Sequence, residues 1–178
     1  MKIAILGWGS LIYDHGEMLL EGKWECNGPV LKIEFSRISS DGRLTLVIDP
    51  GHGSDITTQY ATSGRSEIED AVCDLMIREG TNRDKIGMWI RQSSGNVACN
   101  HPSIRDWLDD SDFDGVIWTN LKSNFEKKQN ADFSNDSALR YLEALSPICK
   151  ANARNYINKA PEQTQTRLRE FLKTRGWL

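Results

Sequence analysis

The sequence predicts an α+β fold: a small mixed β-sheet or barrel followed by a helical C-terminal extension. Three observations predict it. Short strand patterns separated by turn residues fill residues 1–120. One strongly amphipathic helix interrupts them. Strand signals then stop after Asn120 and helix caps begin. The expected division is 1–120 for the sheet domain and 121–178 for a helical extension packed on the same domain.

Lys2-Ile3-Ala4-Ile5-Leu6 reads as a short buried strand, ended by Gly7-Trp8-Gly9-Ser10. Val30 to Ile38 alternates apolar and polar residues, as a half-buried strand does. Ser40-Asp41-Gly42-Arg43 turns it into Leu44 to Ile48, a hairpin. Ile56 to Ala61 carries a weaker strand signal. Ser66-Glu67-Ile68-Glu69 has capping-box spacing, with Ser66 as N-cap. Ile68, Ala71, Val72, Leu75 and Met76 then follow one helical face, and Gly80 stops the helix. Ile86 to Ile90 and Asp114 to Thr119 read as strands, with a short helix opening at Pro102. Lys122 to Asp132 reads as a flexible connection. Beyond it, Ser134 or Asn135 caps a first helix and Pro147 opens a second. Pro161 opens a third, closed by Gly176.

Composition narrows the function. The chain has 178 residues, 39% of them hydrophobic and 26% charged, ordinary for a globular protein that builds its own core. No apolar run approaches the roughly 20 residues of a membrane helix, and the first residues turn polar too soon for a signal peptide. The expectation is a cytoplasmic protein with no membrane partner. Net charge is −3, and the one dense basic stretch, Arg167 to Arg175, reads as the solvated face of an amphipathic helix. No nucleic-acid partner is expected. Cys26, Cys73, Cys99 and Cys149 are scattered, as are His15, His52 and His101, so neither a disulfide framework nor a metal site is indicated. Cys73 reads as a quiet core thiol and His52 as an exposed loop residue.

Two places could carry chemistry. The first is the turn after the opening strand. Gly7 and Gly9 match the start of a dinucleotide fingerprint, but Ile12 stands where its third glycine must be. Two glycines around an aromatic instead leave main-chain N–H groups free to hold a carboxylate or oxyanion. A plain tight turn would have the same spacing. The second is Glu79. At about 100° per residue from Ile68, it falls near about 20°, amid the apolar stripe. Arg78 points elsewhere. A carboxylate facing the core is disfavoured as an anion, which suits a proton-transfer group. Fraying of the last turn would leave it an ordinary exposed residue.

The two motifs in this order resemble the γ-glutamylcyclotransferase-like superfamily. Gly9-Ser10-Leu11 after an aromatic and an apolar strand resembles its Tyr-Gly-Ser-Leu or Tyr-Gly-Ser-Asn signature. Arg78-Glu79-Gly80 resembles its Glu-Gly pair. The resemblance covers the first half to two-thirds of the chain. It implies a compact α+β fold with a small mixed barrel and a cavity at one end. It also implies that Trp8, Gly9, Ser10 and Leu11 bind the substrate and that Glu79 is the catalytic acid/base. The implied reaction cyclises a γ-glutamyl amine or peptide to 5-oxoproline and a free amine, with no metal or organic cofactor. Trp8 replaces the signature tyrosine and its hydroxyl, Thr57 to Gly64 lacks the family's Val-x-Gly strand, and the helical tail is extra. The alternatives are a non-catalytic small-molecule binding module and a protein-docking module working through Leu168, Phe171 and Leu172.

Overall fold

A computed structural model describes residues 1–91 and 100–178. Cys99 lies outside the described residues. The fold is mixed α+β, with a five-stranded and a three-stranded sheet and six α-helices among the described residues. The barrel expectation is corrected. The larger sheet has the order β2 (Leu20–Glu25), β6 (Gln59–Ser63), β1 (Ile3–Gly7), β8 (Gly115–Thr119), β7 (Ile86–Ile90), and among the described residues its end strands do not pair with each other to close it.

The chain divides into two compact units. The first comprises Met1–Gly7, Leu11–Val30 and Thr57–Leu121. It holds the five-stranded sheet: β1 (Ile3–Gly7), β2 (Leu20–Glu25), β6 (Gln59–Ser63), β7 (Ile86–Ile90) and β8 (Gly115–Thr119). β1 is central. It runs antiparallel to β6, with Ile5 opposite Ala61, and parallel to β8, with Ile5 opposite Ile117. All five β1 residues are buried, as an inner strand requires. Helix α1 (Ile68–Glu79) lays Ile68, Ala71, Val72 and Leu75 against Ile3, Ile5, Ile86 and Ile117. The predicted apolar stripe is the face that packs. A second helix, α2 (Pro102–Asp110), buries Ile104 and Leu108.

Two expectations about α1 are corrected. Its N-cap is Glu67, not Ser66, and no side chain caps it. The entry is held instead by a fork from Arg65 to Asp74, Nε to Oδ2 at 2.8 Å and Nη2 to Oδ1 at 3.0 Å. Cys73 is exposed rather than in the core, because it follows Val72 off the apolar stripe.

The second unit comprises Trp8–Ser10, Leu31–Ile56 and Lys122–Leu178. It holds the predicted hairpin and a short piece of the opening turn together with the residues beyond Leu121. Its sheet has the order β4-β3-β5, from β3 (Val30–Ile38), β4 (Leu44–Ile48) and β5 (Ser54–Thr57). Its helices are α3 (Phe125–Gln129), α4 (Asn135–Ala144), α5 (Pro147–Lys159) and α6 (Arg167–Thr174). Ser134 caps α4 in a capping box with Ser137, and Pro147 opens α5 as predicted.

Three further expectations are corrected here. Lys122 to Asp132 is tied down. Asn124 Oδ1 accepts the Ile38 N–H at 2.7 Å while its Nδ2 donates to the Ile38 carbonyl at 3.0 Å, and Phe125 is buried. α6 begins at Arg167, capped by Thr166, because the segment from Pro161 turns its carbonyls elsewhere. Gly176 still ends it, at φ 66°. The basic stretch is not wholly a solvated face either. Arg169 is 6% exposed and its guanidinium donates to four main-chain carbonyls.

Candidate functional site

The opening turn begins where the buried β1 strand runs out. Gly7 is needed for space. A Cβ there would lie 2.8 Å from Cζ3 of Trp24, whose ring lies against it, and 3.1 Å from Cγ1 of Ile12. Neither Gly7 nor Gly9 takes a positive φ, so the turn is not built on a left-handed glycine. Ser10 to Ile12 form a single tight helical turn. The Leu11 side chain is buried with Ile3, Ile5, Met18 and Leu75 in the core of the first unit. What Leu11 can offer a ligand is therefore its main chain.

Trp8 and Gly9 belong to the second unit. Trp8 is buried, and its carbonyl accepts the Thr164 Oγ1 hydroxyl at 2.9 Å. A Cβ on Gly9 would meet Leu46 Cδ1 at 3.2 Å and Tyr156 Oη at 3.7 Å. Ser10 is half-buried.

Glu79 is the last residue of α1, in the first unit. Gly80 follows it at φ 57°, with its N–H on the Ile77 carbonyl at 3.2 Å, so the helix ends in a formed cap. The Glu79 side chain is 15% exposed and the Arg78 side chain 12%. The two are ion-paired, Arg78 Nη1 to Glu79 Oε1. Arg78 also donates from Nε and Nη2 to the Asp14 carbonyl, at 3.0 and 2.7 Å. Asp14 lies three residues beyond Leu11, so one guanidinium ties the carboxylate to the loop that follows the turn.

Sequence reasoning missed Arg78. Its Cα does point away from Glu79's face, but a long side chain can curl back with only its head on the target. The Arg-Glu adjacency was visible; the direction of the side chain was not.

A fully buried acid was missed outright. Glu34, on β3 in the second unit, is 1% exposed. Its Oε1 accepts the Phe35 N–H at 2.7 Å and its Oε2 the Leu168 N–H at 3.2 Å. Burial pushes its carboxyl above the ordinary range and Asp49 adds to the rise, against the pull of the Thr166 hydroxyl and those two N–H groups. Its partners make it an anchor for the first turn of α6. The β3 alternation marks Glu34 as outward, and only the later helix covers that face.

His52 is half-exposed, its backbone N–H on Asp49 Oδ1 at 3.1 Å and its ring against Phe133. Leu168 and Leu172 are fully buried and Phe171 half-buried, so they do not form an open docking stripe. Among the described residues, no three His, Cys, Asp or Glu side chains are grouped to hold a metal ion, and no helix is long and apolar enough to cross a membrane. No protein-family model, curated protein or solved structure matches the chain.

Proposed function

We propose that the chain is a γ-glutamylcyclotransferase-type enzyme acting on a γ-glutamyl amine or peptide. The single observation that carries the reading is the state of Glu79. It sits in a properly capped last turn, largely out of water, at the position where the sequence resembles the family's Glu-Gly pair. A carboxylate kept there needs a reason, because an exposed residue would end the helix as well.

The chemistry is a ring closure within one substrate. The substrate's α-ammonium gives a proton to the Glu79 carboxylate. The freed amine attacks the γ-carbonyl carbon, forming the new C–N bond. The tetrahedral intermediate expels the leaving amine as its nitrogen takes the proton from Glu79. The second proton of the attacking nitrogen then passes through the Glu79 carboxylate to the freed amine. The products are neutral 5-oxoproline and an ammonium, with no proton gained or lost overall. A positioned acid/base of this kind contributes about 10²–10⁴-fold. Nucleophile and electrophile share one molecule, so orientation supplies much of the rest. The main-chain N–H groups of Gly9, Ser10 and Leu11 take the γ-glutamyl portion and meet negative charge as it develops. Trp8 contributes its place in the turn rather than a hydroxyl. No step calls for a metal or organic cofactor.

The test is direct. Incubate the chain with a panel of γ-glutamyl peptides and amines and measure 5-oxoproline by mass spectrometry. Formation that persists unchanged in Glu79→Gln rejects the mechanism.

A further inference from the structure

We propose that Thr164 is a positioning residue for the Trp8-Gly9-Ser10 turn, and that Arg169 holds Thr164 to that task. The inference rests on the reading of this turn as the part that takes the γ-glutamyl group.

The argument starts from one peptide plane. The Trp8 carbonyl and the Gly9 N–H belong to the same planar unit and point in opposite directions. Whatever fixes the carbonyl therefore aims the amide. Thr164 Oγ1 donates to the Trp8 carbonyl at 2.9 Å, and both residues are buried. Gly9 has no side chain to resist a flip of this plane. A Cβ at Gly9 would meet Leu46 Cδ1 at 3.2 Å and Tyr156 Oη at 3.7 Å, so the position is crowded on that side. The hydroxyl of Thr164 fixes the direction of the carbonyl.

Thr164 needs a rigid support to do this, and the chain around it is not helical. Arg169 provides the support from the first turn of α6. Its Nη1 donates to the carbonyls of Pro161 at 2.7 Å and Thr164 at 3.0 Å. Its Nη2 donates to those of Asn158 at 3.2 Å and Ala160 at 2.9 Å. Four carbonyls turned onto one buried cation define a single path for this strap. The far end is fixed as well, since Glu34 takes the Leu168 N–H. The helical extension is thereby part of the binding apparatus rather than an appendage.

The test uses the full chain with Thr164→Val, Thr164→Ser and Arg169→Lys. Two quantities are read: hydrogen exchange of the amides at residues 8–11 by mass spectrometry, and KM and kcat for 5-oxoproline formation. Thr164→Val should exchange about tenfold faster in that segment, with β1 and α1 unchanged. KM should rise by a similar factor of about ten while kcat moves by less than about threefold. Thr164→Ser, which keeps the hydroxyl, should restore both. Arg169→Lys should speed the same exchange with Thr164 intact, and it carries the test if the valine variant does not fold. Wild-type exchange and KM in a folded Thr164→Val, or no rescue by serine, overturn the proposal. If the wild type makes no 5-oxoproline but exchange responds as stated, the cyclotransferase reading falls while Thr164's hold on the Gly9 amide stands.

Discussion

Arg78 turns its guanidinium back onto the carboxylate of the very next residue, Glu79. Neighbours on a helix project about 100° apart, so this pairing requires the arginine stem to bend along the helix surface. The same head group holds the Asp14 carbonyl through two N–H groups. Without that cation, Glu79 would be a shielded anion at the negative end of a helix dipole, opposed on two counts.

Glu79→Gln should leave the fold in place while lowering 5-oxoproline formation by at least about 100-fold. Arg78 keeps its two bonds to Asp14 in this variant, so the unfolding free energy should move by no more than about 1–2 kcal/mol. Mass-spectrometric assay and urea unfolding on the same preparation check both halves.

Arg78→Met should be the more damaging change for stability. It removes the anchor of the Asp14 loop and strips the counter-charge from a mostly buried carboxylate. A loss of about 2–4 kcal/mol is expected. Arg78→Lys keeps a cation but not the fork, and should fall between wild type and Met in urea midpoint.

Glu34 makes stability depend on pH. Its folded-state carboxyl is raised above 4.5 by burial and by Asp49. Between 4.5 and that raised value the folded chain keeps a proton that the unfolded chain has released. Its contribution is therefore full below the unfolded value and declines as pH rises through the folded one. Glu34→Gln cannot titrate. The stability of wild type relative to this variant should be greatest in acid and decline toward neutrality, measured by urea midpoints from about pH 4 to about pH 8. A constant difference across that range would reject the assignment.

Gly87→Ala should unfold much of the first unit. Gly87 sits opposite Trp118 in the β7–β8 pair, and an added Cβ would lie 2.1 Å from Cε2 of the indole. Trp118 is buried and has nowhere to retreat. A cost of about 3 kcal/mol or more is expected from overpacking. Trp118→Ala in the same background should recover part of it, which urea unfolding of the single and double variants will show.

Legibility followed the range of the interactions. β1, the 30–48 hairpin, the α1 stripe and its Gly80 stop were readable because each is written in neighbouring residues. β2 was missed: four of its six residues are exposed, it carries a register irregularity, and its alternation is weak. The start of α6 was misplaced because Pro161 is a good local signal, outweighed by the carbonyl-binding Arg169. Ser66 failed as a cap because the Arg65–Asp74 fork fixes the entry. At the candidate site, Glu79's shielded position followed from helical period, whereas its cation did not. Glu34 was invisible because its covering helix lies 134 residues away in sequence. Cys99 lies outside the described residues and adds nothing to either side.

The second unit has a consequence for how the chain is made. Its hairpin is synthesised before the groups that complete the unit, Thr164 for the Trp8 carbonyl and Leu168 for Glu34. Until they emerge the hairpin lacks these partners, and a nascent chain in that condition exposes surface that the folded unit buries. A stalled product ending before residue 164 would carry that uncovered hairpin permanently.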